Sequence, residues 1–362
     1  MTLTPNAGGQ EQVLRIVPLA LAPDEVARFV AEVYDTYGHG ASFVPRWTGA
    51  FLKHVVFDHP AATPSHALAA YLGDRLVGLV LSQPHELWIG RNRCQAAYAS
   101  WLAVVPEGAK HFAAVRLVNE LRERLKACGV EVIVGLAYRS GRGVGLDFWE
   151  GFARAFPTEV TVGPDLTFWA RVLDGRALAK AVKNPLLQMV AHATLLRPQM
   201  QSSTDPAIRP FADQDFEACA AIMGKAIAEI RIAPSRWELA CAEAPDTGPQ
   251  TLVMGTAGGV AAFSSYHILP MEDAGPLRVA MIELLNSHPG ASGLGRLLTQ
   301  TLWQAKSAGA CLALIPRKAH LSATFMMSAG FVPYQAGFKM IYLPLDVGVP
   351  RRMPADFDLL VR

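Results

Sequence analysis

Met281-Ile282-Glu283-Leu284-Leu285-Asn286-Ser287-His288-Pro289-Gly290-Ala291-Ser292-Gly293-Leu294-Gly295-Arg296-Leu297-Leu298 reads as an apolar strand, a tight turn and the start of an amphipathic helix. Glycines at 290, 293 and 295 let the backbone approach an anion closely. The helix start adds unpaired N–H groups and the positive end of the helix dipole. Together these suit a phosphate or pyrophosphate, although the same turn also serves as a plain tight connection. It is not a Walker loop, because no Gly-Lys-Ser/Thr follows, nor is it the full dinucleotide fingerprint.

Outward from this stretch, the chain shows the same order of elements twice. Gly78 precedes Pro106 by 28 positions, and Ala261 precedes Pro289 by 28. Helical stripes then end at Gly129 and Gly309, where a left-handed residue would close a helix. Short strands follow at Val130–Leu136 and Cys311–Pro316, then helical segments ending in Gly151-Phe152 and Gly330-Phe331. Apolar strands at Leu166–Val172 and Phe338–Leu343 finish both copies. Strand-helix-strand order makes the strands flanking each long helix parallel neighbours. The expected organisation is α/β, with a mixed α+β sheet in two tandem domains, 1–172 and 207–362. The linker, 173–206, carries a docking helix over 177–193 interrupted near Pro185, and Gln199–Asp205 is polar and turn-rich.

A chain of 362 residues, 51% apolar and 18% charged, is long enough for two cores. A net charge of +2 gives no electrostatic case for nucleic acid. Five scattered cysteines show neither metal-ligand spacing nor a disulfide framework, which suggests a reducing compartment. The start of the chain lacks a signal pattern and no apolar run is long enough to span a bilayer, so a soluble cytoplasmic protein is expected. Oligomeric state is not legible.

The element order and the turn Gly290-Ala291-Ser292-Gly293-Leu294-Gly295 resemble the GNAT superfamily of N-acetyltransferases. So does the unit Phe325-Met326-Met327-Ser328-Ala329-Gly330-Phe331. In that family the turn reads Gln/Arg-x-x-Gly-x-Gly/Ala and holds the pyrophosphate of acetyl-coenzyme A. Here Gly293 and Gly295 match, and Gly290 replaces the leading Gln or Arg. The resemblance implies an acyl-coenzyme A site at Leu284, Leu285, Asn286, Gly290, Ser292, Gly293, Leu294, Gly295 and Arg296. The backbone N–H groups of 284–286 would polarise the thioester where the central strands part. The first copy departs from the pattern: counting from Pro106, Lys110 falls opposite Gly293 and Phe112 opposite Gly295. A phenyl ring there would crowd a diphosphate; either the first pocket is remodelled, with Lys110 or His111 meeting an anion, or this copy is degenerate and supports the other, and the second copy is expected to be the active one.

Acyl transfer to an amine needs a proton acceptor. The resemblance places a carboxylate base in some members near Glu283, and His288 at the strand end is the second candidate. His267 is a third residue near the cleft, more plausibly polar surface. Many relatives use a tyrosine as general acid where this chain has Met326. Arg317-Lys318 reads as a solvated loop. Trp47, Phe51, Phe57, Trp88 and Trp101 read as core.

The function implied is an acyl-coenzyme A-dependent N-acyltransferase, with acetyl-coenzyme A expected as donor and a small-molecule or peptide amine as acceptor. Alternatives are a non-catalytic acyl-coenzyme A- or peptide-binding module, or a long-chain transferase of the N-acyl amino acid synthase type. Double-domain members of the superfamily also include mycothiol synthases and glycylpeptide N-myristoyltransferases, and these residues do not choose among them.

Overall fold

The computed structural model describes residues 13–37, 44–138, 144–194, 205–224, 230–233, 235–257, 259–318, 320–351, 353 and 357–358. The first half runs β1 (Leu14–Pro18), α1 (Pro23–Tyr37), β2 (Val44–Pro45), α2 (Gly49–Leu52), β3 (Ala67–Leu72), β4 (Arg75–Ile89) and β5 (Asn92–Val104). It continues through α3 (Pro106–Lys110), α4 (Ala113–Ala127), β6 (Val132–Tyr138), α5 (Val144–Ala155) and β7 (Thr161–Val172). Helices α6 (Gly175–Ala181) and α7 (Pro185–Thr194) connect the halves, broken at Pro185 as expected; most of Gln199–Asp205 lies outside the described residues. The second half runs β8 (Ile208–Pro210), α8 (Phe216–Met223), β9 (Ile230–Ala233), α9 (Arg236–Leu239), β10 (Gln250–Thr256), β11 (Gly259–Glu272) and β12 (Pro276–Ser287). After these come α10 (Leu294–Ser307), β13 (Leu312–Pro316), α11 (Ala323–Ser328), β14 (Val332–Pro344) and a short β15 (Phe357–Asp358).

The strands form one mixed sheet whose main path is β1-β3-β4-β5-β6-β14-β7-β13-β12-β11-β10-β8. β5 and β6 are parallel, as are β12 and β13, and a long helix joins each pair. Strand pairing makes the duplication explicit. Ala70, Gly78 and Val104 lie in one cross-strand row, and Met254, Ala262 and Ser287 lie in the matching row. Gly78 therefore corresponds to Ala262, one residue beyond the partner that index counting selects. Two bulges are repeated as well. Val77 and Ala261 are extra residues in their ladders, and so are Ser100 and Glu283.

The two halves exchange strands. β7, the last strand of the first half, pairs with β13; β14, the last strand of the second, pairs with β6; β7 and β14 pair with each other at the centre. Short strands cross over too. β2 pairs with β11, and β9 pairs with β4. Each half thus has its sheet completed by the other.

The long helices follow their sequence stripes. α4 buries Leu117, Val118, Leu121 and Leu125; α10 buries Leu297, Leu298, Leu302 and Ala305. Each fully buried leucine contributes about 1.5–3 kcal/mol. Gly129 and Gly309, at φ 81° and 89°, follow the helix ends as expected. Gly151 differs from Gly330, which follows α11 at φ 79°. Gly151 lies inside α5, where Phe148 and Phe152 stack with centroids 5.6 Å apart, and Phe156 just past the helix tilts against Phe152 at 4.8 Å. That stripe outweighs the roughly 1 kcal/mol cost of a mid-helix glycine. No described helix is long and apolar enough to cross a membrane.

Candidate active site

Each half has a place where its two central strands part. β5 and β6 stay paired until Ala99 and Gly135, and β12 and β13 until Met281 and Leu314. Just past each apex comes the bulge residue, Ser100 in the first half and Glu283 in the second. At the first apex the strands meet closely: a Cβ on Gly135 would lie 2.1 Å from the Ala99 carbonyl oxygen. Only glycine fits there.

The first cleft opens into a cavity of about 300 Å³. Ser100, Leu102 and Val104 of β5 form one wall, and Leu136, Ala137 and Tyr138 of β6 the other. α1 adds Val33, Tyr34 and Tyr37; Trp47 and α5 close the sides. The far wall belongs to the second half, through Leu269, Met271, Met281 and Phe338. Ala109 and Ala114, which flank the start of α4, also line the cavity. Burial pushes Tyr138 up to about 12, with the charges of Tyr334 and Asp273 adding to it. Burial likewise raises Tyr34 and Tyr37. These hydroxyls stay protonated at neutral pH, so they add no charge to an otherwise apolar chamber. Nothing in the sequence pattern signalled a chamber walled by both halves.

The second cleft is built differently. Glu283 is fully buried, and its Oε1 lies 3.6 Å from His267 Nδ1. His267 is on β11, 1% exposed, with its ring 5.2 Å from that of Phe51 in α2. It is therefore a core residue rather than polar surface. Leu284, Leu285 and Asn286 are buried and paired with β11, and His320 Nε2 donates to the Leu285 carbonyl at 2.8 Å. Lys318 is 2% exposed, against the expectation of a solvated loop, because the chain just past β13 stays tied to β7, the Arg317 N–H donating to the Thr167 carbonyl at 2.9 Å. Met326 is buried in the core of this half.

The glycine turn lies on the surface. His288 starts it, donating its N–H to Ala261 and accepting from the Ala291 N–H, with no side-chain bond to Glu283 among the described residues. Gly290, Ser292, Gly295 and Arg296 are exposed; Leu294 is half-buried and begins α10. Gly293 is the left-handed residue before α10, at φ 112°. In the first half Phe112 takes that place before α4, at φ 57°, with its side chain mostly exposed. It corresponds to Gly293 rather than to Gly295, and its ring points to solvent instead of crowding the helix start.

The two helix starts also differ in charge. Arg296 is bound by Asp205 at 2.8 Å. Beside α4, Lys110 and Arg116 are exposed and their side chains have no ionic partner among the described residues. The cations beside α4 are thus available to an anion, whereas Arg296 is already engaged.

No protein-family model matches the sequence, and no curated protein matches it significantly. Solved structures do match in fold. Saccharomyces cerevisiae N-myristoyltransferase with bound myristoyl-CoA superimposes with a TM-score of 0.69, at 14% identity, over 95% of this chain and 87% of that one. A second structure of that yeast enzyme with myristoyl-CoA gives 0.68 at 13% identity, over 94% and 80%. An Enterococcus faecalis protein described as a probable N-acyltransferase gives 0.51 at 10% identity, over 92% and 73%. The chain has the fold of the yeast N-myristoyltransferase. Within this pair of halves, strand parting and bulge are kept twice, and an apolar chamber opens from the first.

Proposed function

We propose that the protein is an acyl-coenzyme A-dependent N-acyltransferase whose donor enters the first-half cleft. The observation that carries this reading is the apolar cavity between β5 and β6, which extends from Ala114 at the start of α4 to Met281 of the second half. A chamber of this volume and polarity suits an acyl chain. Lys110, Arg116 and the N-terminus of α4 would take the coenzyme phosphates at its mouth. The yeast neighbour holds myristoyl-CoA, and a comparable chain, rather than an acetyl group, is the donor proposed here. The acceptor is a primary amine, on a small molecule or a peptide, and the five free thiols suit a cytoplasmic setting.

A second reading is favoured by one observation, that Glu283 is itself the bulge residue where β12 leaves β13. There the coenzyme would lie on the second half. Gly290, Ser292, Gly293, Gly295 and Arg296 would hold its pyrophosphate, Leu284, Leu285 and Asn286 its thioester, and Glu283, with His267 or His288, would take the proton.

Thiol release with donors from acetyl- to palmitoyl-coenzyme A, against a panel of primary amines, tests the proposal. Activity rising with chain length and lost in Ala114→Trp supports the first-half chamber. Equal turnover of acetyl- and myristoyl-coenzyme A, unaffected by Ala114→Trp, removes it.

A further inference from the structure

A buried polar cluster joins the halves at the other side of the first apex. His85 on β4 and Glu238 on α9 form a carboxylate–imidazole pair through Nδ1 and Oε1, with both side chains 3% exposed. Pairing of Glu86 with Ala233 of β9 brings α9 over β4, so a residue of the second half meets a strand of the first. The carboxylate is held in place: Glu238 Oε2 accepts the Ser235 N–H at 2.9 Å, and the Glu238 N–H is bound by the Ser235 hydroxyl at 3.2 Å.

The pair lies beside the place where acyl transfer is proposed. The His85 ring meets the edge of Tyr98 at 6.1 Å. Tyr98 is on β5, two residues before Ser100, the bulge residue that lines the cavity. Directly across from Tyr98 is Gln83, fully buried, with both amide ends unbonded among the described residues. Leaving such a buried group unpaired is unfavourable, so a polar ligand at this point would relieve it. In the second half, strand pairing places Leu269 where the first half has His85, and Met281 where it has Tyr98. One member of the duplicated pair lines the acyl chamber, and the other is built of titratable and hydrogen-bonding groups.

The geometry points to an acceptor-amine site here, with His85 as proton acceptor and Glu238 as the residue that positions it. This rests on the first-half reading of the donor. The Glu238 carboxylate beside Nδ1 favours the tautomer with its proton on that nitrogen, which leaves Nε2 to take a proton. Nε2 takes that proton from the amine as its nitrogen forms a C–N bond to the thioester carbon. The C–S bond breaks, its electron pair leaves on sulfur, and the thiolate recovers the proton from the imidazolium. Amide and free thiol are the products.

The test is thiol release from myristoyl-coenzyme A with glycinamide as the amine, alongside the dissociation constant for myristoyl-coenzyme A. His85→Gln should lower kcat about a hundredfold or more, the usual share of a general base, while the dissociation constant stays within twofold. Glu238→Gln should lower kcat at least tenfold with the same unchanged affinity, and added imidazole should restore part of the activity of His85→Ala. Wild-type kcat in both glutamine variants overturns the proposal and leaves the donor site standing. Loss of myristoyl-coenzyme A binding in both assigns the pair to holding the halves together and overturns the proposal. A wild type that binds myristoyl-coenzyme A yet transfers to no primary amine overturns the transferase reading, and this one with it.

Discussion

Arg209 holds Asp215 through two charge-assisted bonds, of 2.6 and 2.7 Å, at the start of α8. That pairing, with the Ala212 N–H, pulls the Asp215 carboxyl below the ordinary carboxylate range. A depressed acid stabilises the fold fully above its unfolded value of about 3.9, and the contribution is lost as pH falls through its lower folded value. Asp215→Asn should cost about 1–2 kcal/mol at pH 7, moderated because Arg209 is nearly half exposed. The gap between variant and wild type should close as pH falls below the ordinary carboxylate range in denaturant titrations; a gap independent of pH would show that the pair is not its source. Thiols give a second check. Cys94, Cys219 and Cys311 are buried and raised by burial, Cys219 to about 12, whereas Cys128 and Cys241 are exposed. Iodoacetamide on the native protein at pH 7.5 should label two sites, at 128 and 241; labelling of a third would contradict the burial. At this scale Glu283 was legible because a carboxylate inside an apolar strand stands out in sequence. Its neighbour His267 and the buried Lys318 were not, since nothing local separates a strand histidine or lysine in the core from one on the surface.

Elements were read well where periodicity is strong and glycine ends a helix, as in α4 and α10. Reading failed where one glycine had two uses. Gly151 and Gly330 occur at matching offsets, yet one lies within a helix and the other follows one, and only the aromatic stripe of α5 tells them apart. Two substitutions test element geometry. Gly135→Ala sets a Cβ against the Ala99 carbonyl at the last paired residues of β5 and β6. It should cost about 1–3 kcal/mol, by overpacking, and weaken binding in the chamber beyond. An unchanged melting temperature would show that the apex is not close-packed. Phe112→Gly removes a non-glycine residue from the left-handed region, a strain of about 1–2 kcal/mol, and adds about 0.5–1 kcal/mol of chain entropy loss. The expected net is a gain of about 0.5 kcal/mol in chemical denaturation, because the exposed ring loses little packing. A loss above about 1 kcal/mol would mean that the ring packs on the protein.

At the scale of the molecule, the two copies were legible as repeats but their exchange of strands was not. Pairing β7 with β13 or with β6 satisfies the same local pattern, so only tertiary contacts decide. Because each half's sheet ends on a strand from the other, fragments 1–172 and 207–362 made separately should fail to fold as stable monomers. The whole chain should unfold in one transition. Two separated calorimetric transitions would contradict the exchange.

The central claim is that the donor lies in the first half, and charge reversal at the two helix starts tests it directly. Lys110→Glu with Arg116→Glu, and separately Gly295→Glu, change only exposed positions. Isothermal titration with myristoyl-coenzyme A should show one site, weakened at least tenfold by the Lys110/Arg116 pair, as expected for lost charge-assisted phosphate bonds. Gly295→Glu should leave it within twofold. Binding untouched by the first variant and abolished by the second would place the donor on α10 and contradict the account.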